Sequence, residues 1–307
     1  MKSQRGIGLE IEFQIVDKDT HNPVSTINGL PSIVYIQEMI SRMSKSYSQY
    51  IHAEQVSVLC EITSDVNFTL LNSYAQIQQI ESDINSKILQ YFNLQLLARP
   101  VVKSKFEIVP ASLDPKSRSH QLFNDWGEDQ IMKTAICSMQ INDSVIMPSY
   151  VDAKDQLDFL RRQILCYQAN IDKYLNLNSG FTFNGQNRIE ISKELLWAVK
   201  SSSFEFYGFQ IDDLMMPSKV DNNLDVLKWM LAHNQINLNN DQLKSMDHHD
   251  VLQMINPKNV HGYFKFKFDP RNFDKDWILE HRFLDASTTI ENAQRFHEVF
   301  YNDLECI

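Results

Sequence analysis

Glycine is scarce in this chain, with 8 among 307 residues. Gly6 and Gly8 do not form a phosphate-cradling loop, and no Walker or dinucleotide-binding pattern occurs. An excess of positive charge is also lacking, since the formal net charge is −10. Proteins that bind nucleic acid or membrane surfaces usually show a basic field, so neither partner is expected. An anionic substrate stays open, because local charge and any bound metal decide that. No apolar run approaches the length that spans a bilayer, and the first residues hold no signal-peptide apolar region. The four cysteines, Cys60, Cys137, Cys166 and Cys306, show no CxxC spacing. Buried free thiols in a reducing compartment are expected rather than a disulfide or zinc framework, which makes the chain cytoplasmic. Repeats and low-complexity linkers are absent as well. The composition, 43% hydrophobic and 22% charged, is that of a soluble globular protein, and one domain over 1–307 is the economical expectation.

What the sequence does contain is alternation with carboxylates set into it. Between Ile278 and Leu284, Ile278, Glu280, Arg282 and Leu284 share one face of a strand, and Leu279, His281 and Phe283 share the other. A carboxylate beside a guanidinium can hold a metal ion and an anionic group at neighbouring points, although structural ion pairs give the same pattern. The opening stretch repeats the device: Gly8, Glu10, Glu12 and Gln14 face one way, while Ile7, Leu9, Ile11, Phe13 and Ile15 face the other. Glu54 and Glu61 stand in a third strand region, 52–65. Their odd separation puts them on opposite faces of an unbroken strand, so a bulge or strand end must intervene if both serve one site.

Elsewhere, spacing predicts helices over 31–47, 70–97, 152–175, 224–232, 241–254 and 290–304, and strands over 106–112, 134–146 and 260–268. Residues 116–121, with Arg118 and His120, read as a polar loop, and 176–187 as a Gly/Asn-rich loop leading to Arg188. These connections are too varied for a βαβ series, so an α+β fold with a mainly antiparallel sheet is expected. Lys265 and Lys267 share a strand face that reads as solvated rather than phosphate-binding. His248 and His249 would diverge by roughly 100° on a helix, which argues against a metal site there. His261 and His281 read as structural or surface residues, and Cys60 has no base partner for a catalytic thiol.

Taken together, four segments resemble the type 2 glutamate–cysteine ligases and related bacterial carboxylate–amine ligases. Residues 8–17 are similar to that family's opening strand, and Glu54 through Glu61 to its second acidic segment. Residues 134–142, with Gln140-Ile141-Asn142, are similar to its middle strand; a His-x-His version of that strand is absent. Residues 279–286, followed by 289–293, resemble its closing Glu-x-Arg strand and the helix after it. The resemblance implies a glutamine-synthetase-like fold, a curved and mainly antiparallel sheet with helices packed behind it. It further implies ATP-dependent joining of a carboxylate, glutamate first, to an amine acceptor through an acyl phosphate.

Mg²⁺ or Mn²⁺ would need hard oxygen ligands, for which Glu10, Glu12, Glu54, Glu61 and Glu280 are the candidates. Arg282, with Glu280, is the candidate to steady the transferring phosphoryl group. Arg188 is the candidate clamp on a substrate carboxylate, and Gln140 and Asn142 are placed to hydrogen-bond substrate or ribose. Two other readings stay open: a small-molecule phosphotransferase on the same fold, and a non-catalytic relative that binds nucleotide or peptide.

Overall fold

The computed structural model describes residues 6–43, 46–102, 104–145, 153–178, 181–183, 185–267 and 277–307. The chain opens with β1 (Ile7–Asp17), a small hairpin of β2 (Thr26–Ile27) and β3 (Leu30–Pro31), and α1 (Ser32–Met43). β4 (Ile51–Ala53) and β5 (Leu59–Thr63) precede the long α2 (Leu70–Lys87), and β6 (Leu94–Leu97) follows it. Two short helices, α3 (Arg118–Asp125) and α4 (Glu128–Lys133), lead to β7 (Ser138–Val145) and α5 (Ala153–Leu175). A second hairpin, β8 (Thr182–Phe183) with β9 (Gln186–Asn187), introduces the helical part: α6 (Arg188–Phe206), α7 (Asn223–His233), α8 (Asn240–Ser245) and α9 (His248–Met254). β10 (Phe264–Lys267), β11 (Trp277–Asp285) and α10 (Ile290–Glu305) close the chain.

Seven of these strands form one sheet in the order β10-β11-β7-β1-β5-β4, with β6 also paired to β1. Every pairing among the described residues is antiparallel, as the α+β reading requires. β1 changes neighbours along one edge, taking β7 over Ile7–Ile11 and β6 over Gln14–Asp17, while β5 occupies the other edge. Its period of two sends Ile7, Leu9, Ile11, Phe13 and Ile15 into the core, none more than 7% exposed. Behind that face lies α2, capped by the Thr69 side chain and burying Leu70, Ile77, Ile80 and Ile84 at helical spacing. α5 and α10 lie behind β11, where Tyr167, Tyr174, Phe283, Phe296 and Phe300 pack ring against ring.

Several expected elements differ from those observed. The helix expected over 70–97 stops at Lys87; Asn93 takes a left-handed conformation (φ 56°) and turns the chain into β6, whose Leu94 and Leu96 alternate inward. Residues 106–112 form no strand, and their one ladder contact is a bridge between Val56 and Pro110. Proline has no N–H to extend such a ladder. The polar loop expected at 116–121 runs into α3, started by the Ser117 side chain accepting from the His120 N–H. The helix expected over 241–254 is two, because Met246 is extended and Asp247 caps a fresh start. The strand expected over 260–268 is only β10, and Phe268 and Ile146 lie outside the described residues. Three cysteines are buried free thiols as expected, whereas Cys306 is exposed. No helix among the described residues is long and apolar enough to cross a membrane.

The apolar side of the sheet holds one buried polar chain. His281 Nε2 lies 3.0 Å from one Asp143 carboxylate oxygen, and His297 Nε2 lies 2.8 Å from the other. The Tyr167 hydroxyl meets His281 Nδ1. A neutral His281 protonated on Nε2 satisfies both contacts, donating to Asp143 and accepting from Tyr167. Burial dominates in holding the His281 pKa below its ordinary 6.5, outweighing the pull of Asp143. Asp143 is itself held well below the carboxylate range; burial alone would raise it, and the two histidines outweigh that. Both pKa values lie below those of the unfolded chain, so the unfolded state takes up more protons in acid. The stability that His281 contributes is therefore present above about pH 6.5 and is lost as the pH falls through its lowered pKa, whereas that of Asp143 is present above about pH 3.8 and is lost below it. The gap in melting midpoint between the parent and His281→Gln should narrow as the pH falls from about 7 to 5.

Candidate active site

The sheet's other face carries the charge, and strand register explains why. Residues directly opposite in an antiparallel pair project to the same side. Glu10 pairs with Gln140, Glu12 with Glu61, and Glu280 with both Asn142 and Lys265. Five strands thus deliver their polar side chains to one patch. Glu54 joins from the turn after β4, so the strand does end between Glu54 and Glu61, and the odd spacing no longer separates them.

Within the patch, the oxygens of Glu12, Glu54 and Glu61 lie within 4.8 Å of one another. Glu12 is 8% exposed. One of its oxygens accepts from the Ser138 N–H at 2.6 Å and the Ser138 hydroxyl at 3.0 Å, and the other accepts from Gln140 Nε2 at 2.9 Å. Burial, reinforced by Glu54, pushes the Glu12 pKa up to about 7. Burial likewise raises Glu61, with Glu54, Glu10 and Glu12 adding repulsion, and it raises Glu54. Glu280 behaves in the opposite way. It is 1% exposed, yet Arg282 and Lys267, both bound to its carboxylate, and the nearby Lys265 overcome burial and hold its pKa down. Lys267 also reaches Glu10 at 3.3 Å. Burial, with Arg282 next, pushes Lys265 down to about 8.

Two adjoining cavities open on the patch. The charged one, about 510 Å³, is lined by Glu10, Glu12, Glu54, Glu61, Gln140, Lys265, Lys267, Glu280 and Arg282. The larger, about 590 Å³, shares Glu12, Glu54, Arg118, His261 and Arg282 with it and extends towards α6 and α7. A set of carboxylate oxygens this close, with no thiol or imidazole among them, suits a hard divalent cation. Glu12, Glu54 and Glu61 would hold one such ion, with Glu10 and Glu280 beside them.

All five acidic candidates and Arg282 therefore meet in one place. The amide candidates meet there too, but their groups are engaged inside the cluster. Gln140, 2% exposed, donates to Glu12 and to the Ser138 hydroxyl and accepts from Arg282 Nη1 at 3.0 Å. Asn142 donates to Glu10 at 3.0 Å and accepts from Lys267 at 3.0 Å. Arg188 lines the larger cavity, but its Nε donates to Asp285 and its Nη2 to the Arg282 and Leu284 carbonyls. Three of its five N–H donors are thus spent on β11.

Lys265 and Lys267, expected on a solvated face, instead stand in the charged cavity, so that expectation is corrected. The signal lay in the alternation of β10, but only the pairing of β10 with β11 puts its polar face opposite Glu280. Arg118 was missed because it sits in no strand pattern, and His261, expected to be structural or at the surface although it falls within the strand expected over 260–268, lines both cavities, so that expectation is corrected. His281 is fully buried behind the sheet. With its carboxyl already protonated at neutral pH, Glu61→Gln should keep the melting midpoint within about 2 °C of the parent. Arg282→Met, which strips the buried Glu280 of one of its two bound cations, should cost about 3 kcal/mol by denaturant titration.

No protein-family model matches the sequence, and no curated protein is significantly similar to it. Solved structures are. A bifunctional glutathione synthetase from Pasteurella multocida aligns with a TM-score of 0.57 at 15% identity, over 98% of this chain and 39% of that one. Glutamate–cysteine ligase from Francisella tularensis, solved in complex with AMP, aligns with a TM-score of 0.60 at 12% identity, over 98% of this chain and 66% of that one. The chain spans less than two thirds of either. It has a glutamine-synthetase-like fold, the fold seen in these two structures.

Proposed function

We propose that the chain is an ATP- and Mg²⁺-dependent carboxylate–amine ligase, with glutamate the first carboxylate to test. The observation that carries this reading is the meeting of Glu10, Glu12, Glu54, Glu61 and Glu280 with Arg282, Lys265 and Lys267 in one cavity. A carboxylate oxygen is a poor leaving group at neutral pH, so amide formation needs activation by ATP as an acyl phosphate. Phosphoryl transfer asks a protein mainly to position groups and neutralise charge. Mg²⁺ or Mn²⁺ held by the glutamates would supply charge neutralisation at the phosphate oxygens.

Arg282 is braced by Glu280 and Gln140, so its planar guanidinium is already oriented before substrate arrives. It would hold the transferring phosphoryl oxygens as charge develops on them. Lys265 and Lys267 add positive charge from β10, and Lys267 keeps Glu10 and Glu280 in place. Gln140 fixes Glu12, and Asn142 fixes Glu10, through their amide nitrogens.

ADP and phosphate release should require both a carboxylate substrate and an amine, and should be lost in Glu280→Ala and Glu10→Ala. ATP turnover that survives both substitutions would overturn the metal assignment. Mass spectrometry of the product should find an amide; a stable phosphate ester would identify a phosphotransferase instead. Because Glu12 titrates at about 7 and Glu61 holds its proton above the usual range, a cation bound there displaces protons. Mn²⁺ affinity by calorimetry should therefore rise at least several-fold from about pH 6 to pH 8. A pH-independent affinity would count against these ligands.

A further inference from the structure

We infer that the larger cavity seats the amine acceptor, and that this acceptor carries an uncharged, aliphatic or aromatic body. The inference rests on the ligase reading. ATP and the acid to be activated belong where the cations are, in the charged cavity. The larger cavity opens onto the same reaction centre through Glu12, Glu54 and Arg282. The acceptor's nitrogen enters at that shared wall, where side-chain oxygens of Glu12 and Glu54 stand to accept hydrogen bonds from its N–H groups.

Beyond the wall the lining changes character. Leu122, Trp126, Ile136, Leu195, Leu196 and Met215 supply apolar surface, and Asn234, Gln235 and Asn259 supply neutral amides. Leu195 is half-buried and lies outside the hydrophobic core, so its side chain is an apolar surface left to the cavity. Among the described residues, the lining not shared with the first cavity carries Arg188 and His233 as its basic side chains, and the Arg188 charge is balanced by Asp285 at 3.0 Å. A second charge at the acceptor's far end, away from Arg118 and Arg282 at the shared wall, would meet apolar side chains and neutral amides and would lose its hydration. A cavity of about 590 Å³ falls within the range that encloses small organic ligands.

In the ligation step the acceptor's ammonium group first gives one proton to solvent, and the free amine's lone pair then forms the C–N bond as the acyl C–O bond to phosphate breaks. The phosphate leaves with that electron pair and takes up the nitrogen's surplus proton. The acceptor's body takes no part in the chemistry, so the cavity lining sets only which amine is held in place.

The test uses the whole chain with ATP, Mg²⁺ and glutamate, reading ADP release and the amide product by mass spectrometry. The amines are 2-phenylethylamine and 3-methylbutylamine, compared with ethanolamine, glycine and cysteine. The apolar amines should exceed ethanolamine in kcat/KM by at least about tenfold. Trp126→Ala should raise the apolar amine's KM by about tenfold and leave the KM for ATP unmoved. Leu195→Asp should shift preference towards 1,4-diaminobutane, a gain that a folding defect cannot produce. Preference for glycine, cysteine or ethanolamine in the parent would overturn the inference and leave the ligase reading standing. So would a rise in the KM for ATP in Trp126→Ala, which would assign the cavity to the nucleotide. ADP release with none of the amines would overturn the inference together with the reading beneath it.

Discussion

A carboxylate removed from water needs a cation, a set of donors or a proton, and the charged face of this sheet uses all three. Glu280 has Arg282 and Lys267. Glu12 has the Ser138 N–H and hydroxyl and the Gln140 amide. Glu61, buried and crowded by like charge, holds its proton instead, and burial raises the pKa of Glu54 beside it. The patch is thus divided into an ion-paired half on β10 and β11 and a half on β5 and the turn after β4 where burial raises both carboxyls, with β1 between them. An approaching anion is drawn to the first half and an approaching cation to the second.

The same strands carry a second arrangement on their reverse side. Glu280 and Arg282 flank His281 in sequence, and the period of two sends His281 the other way, onto Asp143 and Tyr167. Asp143 neighbours Asn142, which holds Glu10 and Lys267 on the charged face. Each polar contact behind the sheet therefore fixes the strands whose next residues form the patch. Register between β7 and β11 is specified from both faces, and a slip by one residue would exchange them. The irregularity in pairing between His281 and Leu284 falls beside Arg282, where a bulge re-aims a side chain.

Much of this was legible in the sequence because strand alternation survives tertiary packing. The face of β1, and that of β11 as far as Arg282, followed from counting, and Glu10, Glu12, Glu280 and Arg282 followed with them; Leu284, expected to share their face, lies opposite Met139 on the apolar side because the pairing shifts after His281. The break between Glu54 and Glu61 could be required but not located, since it depends on where β4 ends. Lys265 and Lys267 sat on a legible face whose neighbour could not be known from β10 alone. β6 was hidden inside an apparent helix because Leu94 and Leu96 suit either period over so short a run. Arg118 lies on α3 far from any strand and reaches the site only through folding. Arg188 was visible as an arginine after a loop, but its ties to Asp285 and two β11 carbonyls belong to three dimensions.

The exchange of neighbours along one edge of β1 has a consequence for how such a protein can change over time. β7 leaves that edge after Ile11 and β6 takes it up from Gln14, so Glu12 sits where two partners part. Its carboxylate is anchored by the first residue of β7, Ser138, rather than by anything in the long excursion between Leu97 and that strand. The largely exposed stretch 112–129 can therefore be lengthened or rebuilt without displacing the glutamate at the junction. The parting of two strands gives the lineage a fixed anvil beside a wall that is free to be remodelled.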